Sequence, residues 1–156
     1  MEQRINVFEK GHNAIKSLYG LGGYLAKSAI EQPLLNLIYF RVSQINGCAY
    51  CLDMHSKDLR LKGETEQRLY GLSAWRETPF YTDRERAALA WAEDVTDIIG
   101  SRVSDEVYEQ ARAHFSEEEL IDLTMGVVAI NTYNRLNVAF RTTAGGYVPG
   151  QHAVAN

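Results

Sequence analysis

A chain of 156 residues, 46% hydrophobic and 23% charged with a formal net charge of −4, has the size and composition of one globular domain with a real core. The acidic balance removes the electrostatic ground for binding nucleic acid or an anionic membrane surface. Its longest apolar runs, 87–92 and 125–130, stop after about six residues where a spanning helix needs ~20, and residues 1–6 lack a basic region followed by an apolar core, so no membrane segment and a cytoplasmic setting are expected.

Residues 1–12 are mixed and polar. Ala14, Ile15, Leu18 and Tyr19 then give helical spacing until Gly20, Gly22 and Gly23 interrupt it, and 25–30 resumes the pattern. Pro33 suits the first turn of a second helix carrying Leu34, Leu37, Ile38 and Val42, which Asn46-Gly47 stops. A third helix over 48–62 closes at Gly63. Cys48, Cys51, His55, Asp58 and Leu59 fall on one face of it, because steps of three and four residues return to the same side. Met54 and Leu61 make a second apolar line, so cover on two faces is expected. A short helix over 64–72 precedes a packed loop over 73–81. Thr82 and Glu85 form a capping box that opens a helix running to Ile99, with Ala88, Trp91, Ala92, Val95, Ile98 and Ile99 as its buried stripe and Gly100 as its close. Ser104 opens the next element, to about Phe115, and Ser116 with Glu119 caps the most apolar helix, through Phe140. No strand alternation or repeat is visible. The expectation is an all-α single domain over 1–156, with about six to seven helices and an extended tail at about 142–156.

The chain's two cysteines stand as Cys48-Ala49-Tyr50-Cys51, with His55 four residues on. In a compartment that keeps thiols reduced, such a pair reads as redox-active or metal-binding rather than as a staple, since the loop it would close is too short to restrict the unfolded chain much. A thiol with a reference pKa near ~8.5 must be biased towards the thiolate to react. The start of the third helix and His55 are both placed to do so. One thiol oxidised to a sulfenic acid could be captured by the other, and the same pair could equally exchange with an external disulfide. Two buried small hydrophobes beside a core histidine are the bland alternative. Zinc lacks a fourth neighbouring ligand, and Leu52 after Cys51 breaks the haem-attachment pattern. No metal or cofactor is expected.

The run Arg41-Val42-Ser43-Gln44-Ile45-Asn46-Gly47-Cys48-Ala49-Tyr50-Cys51-Leu52-Asp53-Met54-His55, ending in Leu59-Arg60, resembles the core motif of the AhpD-like alkylhydroperoxidase branch of the carboxymuconolactone decarboxylase superfamily. Asn131-x-x-Asn134-Arg135-Leu136-Asn137 resembles that family's closing segment. The resemblance implies an all-α, AhpD-like subunit in a homo-oligomer, often a hexamer in short members, with the thiols near a subunit contact. It implies a thiol-dependent peroxidase that reduces a hydroperoxide, or a small disulfide, at the expense of a thiol reductant. Cys51 would attack, Cys48 would resolve and His55 would relay protons. Two positions depart from the namesake enzyme. Its relay glutamate, twelve residues before the first cysteine, is Asn36 here, which takes up no proton at neutral pH; Glu31 is a conceivable substitute. Tyr50 replaces its histidine between the cysteines.

Asp58 could orient the His55 ring, although a solvated helix acid is the commoner case. Asn131 and Asn134 could line a pocket or make buried hydrogen bonds. His12, His114 and His152 have no partner visible in the sequence. A lactone decarboxylase of the sister branch and a non-catalytic, redox-sensing helical oligomer remain the competing functions.

Overall fold

Side-chain caps set many of the helix starts, and the computed structural model, which describes residues 2–150, shows each as an oxygen taking a free backbone N–H. Asn6 caps α1 (Val7–Lys10), Thr65 caps α5 (Glu66–Gly71) and Ser104 caps α8 (Asp105–His114). Reciprocal capping boxes open α6 (Asp83–Thr96) at Thr82/Glu85 and α9 (Glu117–Phe140) at Ser116/Glu119, each satisfying two of the free N–H groups at its helix start. The other elements are α2 (His12–Leu25), α3 (Gln32–Ile45), α4 (Ala49–Leu61), a 3₁₀ helix (Leu72–Glu77) and α7 (Ile98–Ser101). Among the described residues, then, the chain is all helix, with nine α-helices where six to seven were expected.

The extra helices are short ones that a periodic pattern does not reach. The single turn of α1 buries only Val7. The loop expected over 73–81 is partly 3₁₀, and the helix expected to run to Ile99 breaks at Asp97 (φ −98°, ψ 50°) into α6 and α7. Ile98 and Ile99 consequently leave the buried stripe and are 58% and 91% exposed, whereas Ala88, Trp91 and Ala92 are in the core. A second correction concerns the glycines. α2 runs unbroken through Gly20, Gly22 and Gly23 and ends at Leu25, so 26–31 is a turn and not a resumed helix. Each helical glycine costs ~1 kcal/mol relative to alanine. Packing overrides that cost, because Ile15 and Leu25 are buried and the Tyr24 hydroxyl donates to Asp122 on α9 at 2.5 Å.

Helix α3 is the hub, packing against α4, α6 and α9. Leu35, Leu37, Ile38 and Val42 are almost inaccessible along it. Gly126 permits the close approach of α9, since a Cβ there would stand 2.7 Å from Leu35 Cδ2. Arg41 on α3 reaches Glu93 on α6 at 2.7 Å, and Glu93 also accepts from the Trp75 indole at 2.8 Å and Arg76 at 2.5 Å. Burial pushes the Glu93 carboxyl up, but these three donors hold it below the usual carboxylate range. The cluster fixes the α3/α6 crossing. No helix among the described residues is long and apolar enough to cross a membrane.

The junction between α3 and α4 is a two-way cap. Gly47 takes φ +63°, its N–H donates to the Gln44 carbonyl at 3.3 Å, and the Cys48 N–H donates to the Ser43 carbonyl at 3.1 Å. This is the Schellman arrangement, in which a left-handed residue lets the chain turn back on the last carbonyls. A Cβ on Gly47 would meet nothing within 4 Å, so the cost of a side chain there is conformational alone. We expect Gly47→Ala to lower unfolding free energy by about 1 kcal/mol, measured by urea titration; an unchanged midpoint would show that the turn does not need a left-handed residue.

Candidate active site

Cys48 has a double position. As the last member of the α3 cap it is anchored through its N–H, and as the N-cap of α4 its Sγ accepts the Cys51 N–H at 3.4 Å. Sulfur here stands in for the hydroxyl or carboxylate oxygen of an ordinary N-cap, at the end of the helix where anionic charge is favoured. Cys51 follows one turn later. The two are joined as a disulfide with a Cα–Cα distance of 5.3 Å, and both side chains are 1% exposed.

The approach motif holds this turn in place. Ser43 Oγ donates to the Tyr39 carbonyl at 2.7 Å and accepts Asn134 Nδ2 at 3.0 Å. Asn46 Nδ2 donates to Asn134 Oδ1 and to Asn131 Oδ1, both at 2.9 Å, and Asn131 Nδ2 donates to Thr96 Oγ1 at 3.1 Å. The Arg41-x-Ser43-x-x-Asn46 segment thus ties α3 to α6 through Arg41 and to α9 through Ser43 and Asn46. Asn131 and Asn134 are the α9 side of the same lattice.

His55 lies on the Cys51 face of α4, 7% exposed. Its ring centroid is 5.6 Å from that of Tyr39, and its Nε2 is buried with no hydrogen-bond partner. Burial pushes its pKa down to about 4, the Asp58 charge opposing this and Lys62 adding to it. The imidazole is therefore neutral near pH 7, with one ring nitrogen a donor and the other an acceptor. A thiolate formed beside it would raise its affinity for a proton, so that sulfur and ring would titrate as a pair.

Asn137, the last residue of the closing segment and not among the expected site residues, donates from Nδ2 to Cys51 Sγ at 3.5 Å. Its Oδ1 is buried without a partner, as is Thr142 Oγ1, and the Thr142 N–H donates to the Asn137 carbonyl at 2.9 Å. Among the described residues the three unpartnered buried side-chain polar atoms are those of His55, Asn137 and Thr142. All belong to residues linked to Cys51 by one turn, one hydrogen bond or two. Buried orphans are rare because each keeps its full desolvation penalty, so their concentration here sets the neighbourhood apart from the satisfied core.

Other expectations resolve differently. Asp58 is half-buried and acts on His55 only through its charge, its hydrogen bonds going to the tail: it accepts the Tyr147 hydroxyl at 2.9 Å and the Gly150 N–H at 3.2 Å. With Asp53 accepting the Gly145 N–H at 3.0 Å and Lys57 donating to the Tyr147 carbonyl at 3.0 Å, it pins residues 145–150 along α4. The tail to 150 has no regular element but lies against the helix, with Tyr147 only 5% exposed; 151–156, and with them His152, lie outside the described residues. On the second apolar line of α4, Met54 is half-buried and Leu61 is 69% exposed, so the described residues cover it only in part. Asn36 donates to the Gln32 carbonyl at 2.7 Å. Glu31 precedes α3 and is bound to Arg84 at 3.0 Å, at the opposite end of a 14-residue helix, about 20 Å long, from Cys48, so it cannot replace the relay carboxylate. His12 begins α2, and the His114 carbonyl accepts from Arg84. Among the described residues no three His, Cys, Asp or Glu side chains are grouped so as to hold a metal ion.

Residues 14–94 match the carboxymuconolactone decarboxylase family. The uncharacterized protein YdfG of Bacillus subtilis is 42% identical over 144 residues, covering 92% of this chain and 98% of that protein. YnjA of Escherichia coli, also uncharacterized, is 28% identical over 120 residues, 77% of this chain and 65% of that protein. A crystal structure from Agrobacterium tumefaciens, described as a protein of unknown function and a candidate antioxidant defence protein AhpD, is 42% identical with a TM-score of 0.90, over 94% of this chain and 100% of that one.

The His55 environment predicts an acid sensitivity. The folded ring holds its proton less tightly than the unfolded one, so below pH ~6.5 the unfolded chain gains a proton that the folded chain refuses until about pH 4. Stability contributed at neutral pH is lost across that window, by up to about 3 kcal/mol. Denaturant titrations of the parent and His55→Gln between pH 7 and 4 should diverge as pH falls, the variant being the less sensitive. Parallel curves would place the histidine in a solvated setting.

Proposed function

We propose, for a chain that belongs to the carboxymuconolactone decarboxylase family and has the AhpD-like fold, that it is a thiol-dependent peroxidase cycling Cys48 and Cys51 between dithiol and disulfide. The observation that carries this reading is the joined pair itself, set at the first turn of α4 beside a neutral, buried imidazole.

In the reduced form His55 takes the Cys51 proton, and the thiolate attacks the terminal oxygen of a hydroperoxide. The S–O bond forms as the O–O bond breaks, and the departing alkoxide takes the proton from His55 to leave as an alcohol. The Cys48 thiol then displaces water from the Cys51 sulfenic acid and closes the disulfide. An external thiol reductant reopens it by exchange. Asn36 supplies no acid for this cycle, which leaves His55 as its proton carrier. The assignment of attack to Cys51 is supported by its two neighbours, His55 on the same helix face and the Asn137 amide on the sulfur. A small disulfide could enter the same cycle in place of the hydroperoxide.

We further assign the working unit as a homo-oligomer of single-domain subunits in a cytoplasmic, thiol-reducing setting. The support is the surface of α9, an apolar helix that leaves Ile121, Val128 and Val138 exposed in the single chain, together with Leu61 on α4. Exposed apolar residues on a helix otherwise in the core are what an isologous or ring contact covers. Light scattering should return a multiple of the 17.6 kDa subunit mass; a monomer at micromolar concentration would remove this assignment.

One observation favours a second reading. Both sulfurs are sealed from solvent within the chain, which suits a redox sensor that is oxidised rarely and turns over no substrate. Steady-state assays decide between the two. With cumene hydroperoxide and a dithiol reductant, the parent should consume peroxide catalytically, and Cys51→Ser and Cys48→Ser should each lose at least about a hundredfold in kcat/KM. Full activity in either variant would sink the dithiol cycle, and a single stoichiometric oxidation by the parent would support the sensor.

A further inference from the structure

The polar stripe of α9 consists of Asn131, Asn134 and Asn137, three residues apart each time, and the three amides are used unequally. Asn131 donates to Thr96 and accepts from Asn46 and Arg135; Asn134 donates to Ser43 and accepts from Asn46. Both are satisfied at the nitrogen and the oxygen. Asn137, at the end nearest the disulfide, donates from Nδ2 to Cys51 Sγ at 3.5 Å and to the Tyr133 carbonyl at 3.0 Å, while its Oδ1, in a side chain only 5% exposed, accepts from nothing. A purely structural position would be filled more favourably by an apolar residue of similar size. An amide held there with its donor on sulfur and its acceptor empty is arranged for a ligand that brings an O–H.

We propose that Asn137 is the positioning and substrate-binding residue of the dithiol site: its Nδ2–H holds the Cys51 sulfur as the thiolate, and its Oδ1 receives the O–H of the incoming hydroperoxide. The inference rests on the peroxidase reading for its substrate class. An ionised sulfur accepts an N–H hydrogen bond more strongly than a protonated one, so the donor lowers the Cys51 pKa. The hydroperoxide's terminal oxygen carries its only O–H, so an acceptor beside the sulfur selects that oxygen for attack and turns the other, which must leave, away from it. As the S–O bond forms and the O–O bond breaks, the electron pair departs on the alkoxide, which is protonated by His55. The hydrogen on Oδ1 remains with the new sulfenic acid. Cys51 is oxidised by two electrons and the peroxide is reduced to an alcohol. The same contact then holds the sulfenic O–H while the Cys48 sulfur reaches the Cys51 sulfur directly.

Two measurements test this. In a Cys48→Ser background, the pH dependence of alkylation reads the Cys51 pKa directly. Asn137→Ala and Asn137→Asp should each raise it by about one unit or more, with helicity by circular dichroism checked alongside. In the Cys48-containing protein, Asn137→Ala should raise KM for cumene hydroperoxide about tenfold. A Cys51 pKa that does not move in folded variants, or a KM that does not change, overturns the proposal. Should both variants lose helicity, the native amide still decides: Cys51 measured in Cys48→Ser should have the lower pKa than Cys48 measured in Cys51→Ser, although Cys48 holds the N-cap, and the reverse order overturns it. A parent with no peroxide turnover but with the Asn137-dependent pKa would remove the peroxidase reading and leave the thiolate contact standing.

Discussion

Cys48 cannot be displaced without disturbing two helices. Its N–H closes α3 and its sulfur opens α4, so the turn between them has no residue to spare. Through that turn the rotational phase of α4 about its own axis is tied to α3, the most buried helix of the chain. Everything on the reactive face follows from the phase: Cys51, His55 and Leu59 go inward, while Asp53, Lys57 and Asp58 are left to meet the tail. The Ser43, Asn46, Asn131 and Asn134 lattice does not touch the sulfurs. It resists the one motion, a roll of α3 against α9, that would carry them out of register.

The site and the scaffold use polar groups in opposite ways. On the scaffold, Glu93 gathers three donors, Arg68 spans Glu64 and Glu85, and Arg84 spans Glu31 and Glu119, so each partly buried charge is matched. Around Cys51 the atoms are left unmatched, and burial keeps a histidine neutral down to about pH 4. Unmatched polar atoms weaken the fold, and they are tolerated where a transient partner completes them. The asymmetry sets the surroundings of Cys51 apart from the rest of the fold.

Much of this was legible in the sequence, for reasons that differ by residue. Thr82/Glu85, Ser116/Glu119 and Asn46-Gly47 act locally, and their helices begin or end where those residues stand. The shared face of Cys48, Cys51 and His55 follows from helical geometry alone. What escaped was decided by distant partners. α2 continues past three glycines because Asp122, far along the chain, holds Tyr24 and the Ala29 N–H. Ile98 and Ile99 keep the helical period yet face outward because the backbone kinks at Asp97. Asp58 read as a solvated acid because nothing nearby announces that Tyr147, 89 residues away, folds back onto it. Asn137 had a weak signal, its three-residue spacing from two other asparagines, but only the structure reveals that one of the three amides is half empty.

The segment before α1 reaches the same corner from the other side: the Arg4 N–H and guanidinium donate to the carbonyls of Phe140 and Ala139, both at 3.0 Å, capping the end of α9 three residues beyond Asn137. Residues 145–150 meanwhile bind α4 beside the disulfide. Both ends of the described chain are therefore anchored on the two helices that carry the disulfide and the Asn137 amide, so the position of an affinity tag belongs among the controls in any assay of this site.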